Sequence, residues 1–215
     1  MTVRAVLYDH DGTLVDSLPM VVAATNRVLV ANGHGAAPRD AVIAAMVLPT
    51  APRMGHHAHT SDAIEQGRLA AEFYAAAREL GPVHARAYEG IPSVVSAFAA
   101  RHIRQAVVSN NEGAVVRIIM RHLGLAQHFA ALYGEDDVAA PKPDPRGIVQ
   151  AAAALGVSLD DCVFVGDSEN DSDAARAAGV RSIGVTWGIH PRARMEHLGF
   201  GSLIDRPEQL LSLIG

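Results

Sequence analysis

The chain has 215 residues, 49 % apolar and 19 % charged, with a formal net charge of −5. This is globular rather than disordered composition. An acidic balance without any Lys/Arg block argues against a nucleic-acid surface. The single cysteine, Cys162, excludes an internal disulfide, and no apolar run approaches the ~18 residues of a membrane helix.

The chain opens on an apolar strand pattern over residues 3–8, not on a basic stretch followed by a long apolar one. No signal peptide is therefore expected, and a cytoplasmic location is. The strand runs into Asp9-His10-Asp11-Gly12-Thr13. Residues 17–88 then carry helical patterns over 18–31, 40–47 and 61–80 and no convincing strand, which is too long for one crossover. This stretch reads as an inserted helical cap, residues 16–89, in a core made of residues 1–15 and 90–215. Beyond it, strands over 105–109, 162–165 and 182–185 alternate with helices over 91–101, 113–123, 145–155 and 169–178. Helices separating short strands imply an α/β fold, a parallel sheet with right-handed crossovers. Cys162 lies in one of the strands and reads as a small buried core residue.

Four motifs fall at strand ends, where open parallel sheets bind ligands. In the first, Asp9 and Asp11 are crowded carboxylates that need a cation or a shared proton to offset their repulsion. An ionised Asp9 suits attack on phosphorus, and Asp11 suits proton delivery to a leaving oxygen and later removal from water. The second is Ser109-Asn110-Asn111 before a helix, where the Ser109 hydroxyl and the Asn110 backbone N–H suit a phosphoryl oxygen. In the third, Pro141-Lys142-Pro143, flanking prolines hold a lysine that could offset phosphate and Asp9 charge together. In the fourth, Asp167 and Asp171 lie four residues apart across a helix start, and their hard oxygens suit Mg²⁺. Each alone also fits a bland role: a solvated turn, a helix cap, a surface lysine, an acidic first turn. All four in this order point to chemistry.

On these motifs the chain resembles haloacid dehalogenase superfamily hydrolases, specifically the phosphoglycolate-phosphatase-like branch with a helical cap. The resemblance covers essentially the whole length. It implies a Rossmann-like three-layer core, Mg²⁺ dependence and a phospho-aspartyl intermediate. It makes Asp9 the nucleophile, Asp11 the acid/base, Lys142 the charge-stabilising lysine, and Ser109 and Asn110 the phosphate contacts. The metal falls to Asp9, the Asp11 backbone carbonyl and Asp167, with Asp171 supporting the site. Dehalogenases of the superfamily lack the second aspartate, so Asp11 argues against dehalogenation. Phosphonate-cleaving relatives need a cap lysine, and Lys142 is the only lysine of the chain.

The implied function is a phosphatase, a Mg²⁺-dependent phosphomonoester hydrolase acting on a small phosphorylated metabolite, with a sugar-phosphate mutase and a non-catalytic binding protein as alternatives. The partners expected are that metabolite and no nucleic acid or membrane, in a monomer or homodimer. Substrate selection is expected from a Pro- and Gly-rich lid loop over residues 48–57, through Thr50, Arg53 and His56. Arg53 suits a carboxylate or second phosphate. The spacing of His56, His57 and His59 does not suit zinc. His10 is expected to alternate away from the catalytic face.

Overall fold

The computed structural model describes residues 2–214. Strand β1 (Ala5–Tyr8) leads through a turn to the two-residue β2 (Val15–Asp16). Four helices follow: α1 (Leu18–Ala31), α2 (Arg39–Ala44), α3 (Thr50–His57) and α4 (Ala63–His84). The chain returns in β3 (Arg86–Ala87), which pairs antiparallel with β2. Alternation then begins with α5 (Ile91–Ala100), β4 (Arg104–Val108), α6 (Gly113–His122), β5 (Ala131–Tyr133) and α7 (Arg146–Leu155). It ends with β6 (Cys162–Gly166), α8 (Glu169–Ala178), β7 (Arg181–Val185), the one-turn α9 (Arg192–Met195), β8 (Ser202–Ile204) and α10 (Gln209–Leu213).

Two compact units result. One takes the chain up to Asp16 and from Arg86 onward, and the other is Ser17–Ala85. The first holds a six-stranded sheet of order β5-β4-β1-β6-β7-β8 with every neighbouring pair parallel. This is the α/β, Rossmann-like sheet that the strand–helix alternation predicts. β1 lies between β4 and β6, so the chain order reverses around it and a crevice opens at the carboxyl ends of these three strands. Asp9, Ser109 and Asp167 each follow one of them.

Period-two alternation builds the core. Ala5 and Leu7, Ala106 and Val108, and Cys162 and Phe164 point to one face, where they pack with Ile148 and Ala151 of α7 and Ala174 and Ala175 of α8. Cys162 is fully buried there, and burial pushes its thiol up to about 11, so it is an inert core residue. Tyr8 and Gln105, also buried, satisfy one another: the Tyr8 hydroxyl donates to Gln105 Oε1 at 3.1 Å, and Gln105 Nε2 donates to the Val95 carbonyl at 2.9 Å. Among the described residues no helix is long and apolar enough to cross a membrane.

The helical unit has its own core, with Met20, Ala24 and Val28 of α1 and Leu69, Phe73 and Ala77 of α4 all buried. One expectation fails here. Residues 50–57 are not a loop but helix α3. Pro52 is the third residue of that helix, and none of the first N–H groups of a helix has an intrahelical partner, so proline costs no hydrogen bond. Gly55 reflects close packing rather than a turn, because the side chain of Gln66 lies where a Cβ would project.

Candidate active site

Asp9, at the end of β1, is 6 % exposed, and its backbone N–H donates to the Val165 carbonyl at 2.9 Å. Lys142, 5 % exposed, reaches it from the loop before α7. The ammonium donates to Asp9 Oδ1 at 2.5 Å and to Asp171 Oδ1 at 2.7 Å. The ring of Phe164 lies beneath it, 5.4 Å from Nζ to the centroid, and adds a cation–π contact. Burial alone would lower the lysine, but the ion pairs with Asp171 and Asp9 more than reverse this and hold it charged.

Asp167 follows β6 directly and is buried. Two glycines make room for it. A Cβ on Gly12, whose φ is +81°, or on Gly188 would overlap the Asp167 carboxylate. The Ile189 N–H donates to its Oδ2 at 3.2 Å. Asp171, in the first turn of α8, turns its Oδ2 back to accept from the Ser168 hydroxyl at 2.6 Å and the Ser168 N–H at 3.0 Å, in the manner of a capping box. With Lys142 on its other oxygen, Asp171 is tied down at both ends, which suits a supporting role better than a direct ligand.

One oxygen from each of Asp9, Asp167 and Asp171 lies within 4.8 Å of the others. Three buried carboxylates thus face one ammonium. Burial, opposed by Lys142 and reinforced by Asp171 and Asp11, pushes Asp9 up to about 7, and burial with the charges of Asp9 and Asp171 pushes Asp167 in the same direction. With every carboxylate ionised the set carries two negative charges in excess of the ammonium, and its all-oxygen donors fit a small hard dication.

Asp11 stands outside this cluster, with its side chain 22 % exposed. Asn111 Nδ2 donates to its Oδ2 at 3.0 Å, and His10 Nδ1 lies 3.2 Å from Oδ1 without hydrogen-bond geometry. Ser109 is buried after β4, and its hydroxyl accepts from the Asn111 N–H at 3.0 Å. The side chain of Asn110 does something its place in the motif does not reveal. It accepts from the Lys142 N–H at 2.7 Å and donates to the Lys142 carbonyl at 2.7 Å, so it clamps the lysine's backbone. Reciprocal amide pairing across 32 residues has no signature in the sequence.

A buried carboxylate at the end of β1, an ammonium on it, acids from β6 and a hydroxyl from β4 form one crevice. The model of the family described as haloacid dehalogenase-like hydrolase matches residues 6–185. The chain belongs to that family. It is 32 % identical to the N-acetylmuramic acid 6-phosphate phosphatase of Pseudomonas aeruginosa, over all of this chain and 96 % of the relative. It is 30 % identical to the phosphoglycolate phosphatase of Pectobacterium atrosepticum, over 99 % of this chain and 93 % of the relative. The crystal structure of a predicted phosphoglycolate phosphatase from Haemophilus somnus has the same fold, with a TM-score of 0.87 over all of this chain and 99 % of that one, at 24 % identity. By this kinship the haloacid dehalogenase-like chain is a phosphatase.

The expected selectivity residues all lie on α3 and differ in exposure. Arg53 is buried, its guanidinium 4.9 Å from the centre of the Phe73 ring. The Thr50 hydroxyl accepts from Tyr74 at 2.9 Å, and His56 is exposed, its ring edge-on to His57. The lid loop expected over residues 48–57 is therefore corrected to a helix over Thr50–His57, on which the buried Arg53 lays its planar head over an aromatic face.

Proposed function

We propose that the chain is a Mg²⁺-dependent phosphomonoester hydrolase that works through a phospho-aspartyl intermediate on Asp9. The observation that carries this reading is the buried Asp9 carboxylate held at 2.5 Å by Lys142, beside Asp167 and Asp171. Asp9 and Asp167, with the Asp11 backbone carbonyl, would hold Mg²⁺, and Asp171 would support the site. The ion, when bound, supplies positive charge to the equatorial phosphoryl oxygens and lets the crowded carboxylates stay ionised.

The residues then divide the work. An Asp9 oxygen forms a bond to phosphorus as the bond from phosphorus to the ester oxygen breaks, and Asp11 gives its proton to the departing alkoxide. Lys142, the Ser109 hydroxyl and the Asn110 backbone N–H stabilise charge on the transferred group. A water then attacks phosphorus, Asp11 takes its proton, and the bond to Asp9 breaks, which releases inorganic phosphate and restores the carboxylate.

The substrate is a small phosphorylated metabolite, and the phosphatases it resembles put phosphoglycolate and N-acetylmuramic acid 6-phosphate first in any panel. Thr50, Arg53 and His56 are the residues of the helical unit to test for selectivity. The decisive assay is phosphate release from such a panel with Mg²⁺ and with chelator. Release should require Mg²⁺ and vanish in Asp9→Asn; release that survives either change overturns the reading.

A further inference from the structure

Asn111 has no assigned part in this chemistry, yet four contacts hold it. Its N–H donates to Ser109 Oγ at 3.0 Å, and its carbonyl accepts from the Glu135 N–H at 2.9 Å. Its side-chain Oδ1 accepts from the Glu112 N–H at 2.9 Å, which fixes which way the amide faces. The remaining group, Nδ2, donates to Asp11 Oδ2 at 3.0 Å across 100 residues of sequence. The other Asp11 oxygen, Oδ1, is buried 3.2 Å from His10 Nδ1, so the two oxygens meet different surroundings.

We propose that Asn111 is a positioning residue for Asp11, whose amide fixes the direction in which the acid/base carboxyl delivers and takes its proton. A carboxylate oxygen has two lone-pair directions. Asn111 takes one of these on Oδ2 and so fixes how the carboxyl plane is turned, while its own backbone and Oδ1 are anchored to the Ser109 loop and the start of α6. The arrangement ties the acid after β1 to the loop that supplies the phosphate contacts. The proton balance is that of the two-step reaction: O–H to alkoxide in the first step, water O–H to carboxylate in the second. The inference rests on the phosphatase reading given above.

The test is Asn111→Ala, with kcat/KM measured on an alkyl ester, phosphoglycolate, and on p-nitrophenyl phosphate, whose aryl oxide leaves without a proton. This parameter reports steps up to departure of the alcohol. Loss of alignment should lower it about tenfold or more on the alkyl ester and less than about twofold on the aryl ester. In an Asp11→Asn background the same substitution should add nothing, since both act through one group. If Asn111→Ala does not fold, the isosteric Asn111→Asp, which sets an acceptor against an acceptor, carries the same comparison. Equal losses on the two esters, no loss on either, or full additivity with Asp11→Asn would overturn the inference and leave the phosphatase reading standing. A wild-type chain inactive on every ester would remove both.

Discussion

Around Asp9 the charges do not balance: Asp9, Asp167 and Asp171 are buried within a few ångströms, and Lys142 is the ammonium among them. Breaking one member of such a set leaves buried charge without a partner. The imbalance gives a signed pH dependence. The folded-state pKa of Asp9 is raised from the carboxylate value of 3.8 to about 7, so the metal-free folded protein binds more protons than the unfolded chain between those values. Its stability therefore rises as pH falls through 7 toward 4, and Asp167 acts in the same sense. A dication replaces those protons, so Mg²⁺ should raise the melting temperature clearly at about pH 8 and much less at about pH 5. Thermal unfolding with Mg²⁺ and with chelator at both pH values measures this; equal shifts at the two would contradict it.

At the scale of elements, strand ends hold the acids and one loop holds the lysine. The loop is fixed by Asn110, whose side chain exchanges two hydrogen bonds of 2.7 Å with the Lys142 backbone. Asn110→Ala should keep the sheet and displace the lysine, lowering kcat by about tenfold or more through lost charge alignment. The result to look for is a fall in kcat with thermal stability changed by only about 1 kcal/mol; unchanged kcat would contradict the clamp. Strands β1, β4, β6 and β7 were legible because each is a short apolar run bounded by helical patterns. β5 and β8 were not, since three residues such as Ala131-Leu132-Tyr133 carry no periodicity. Helix α3 is hidden in the sequence because Pro and Gly signal a loop, whereas Pro52 falls in the first turn and Gly55 serves close packing with Gln66. Asp9, Asp11, Ser109, Lys142, Asp167 and Asp171 were readable as a set from their places after strands. The clamp by Asn110, the tether by Asn111 and the burial of Arg53 depend on long-range geometry that spacing does not encode.

The whole molecule divides into an α/β unit and a helical unit inserted between β2 and β3. Asp16 and Arg86, which flank the insertion, are antiparallel partners. A two-residue turn of the Asn-Gly type joins such a pair without strain. A chain in which that turn replaces residues 17–85 should unfold cooperatively and still show Mg²⁺-dependent stabilisation, by calorimetry; absence of a cooperative transition would show that the α/β unit does not fold alone. Catalysis as proposed turns on one bond, between an Asp9 oxygen and phosphorus. Rapid quenching with substrate and Mg²⁺, reduction of any acyl phosphate with borohydride, and sequencing of the tryptic peptide 5–27, bounded by Arg4 and Arg27, test it. Homoserine is expected at position 9 in the wild type and none in Asp9→Asn. Reduction at another aspartate, or steady phosphate release with no reducible acyl phosphate, would contradict it.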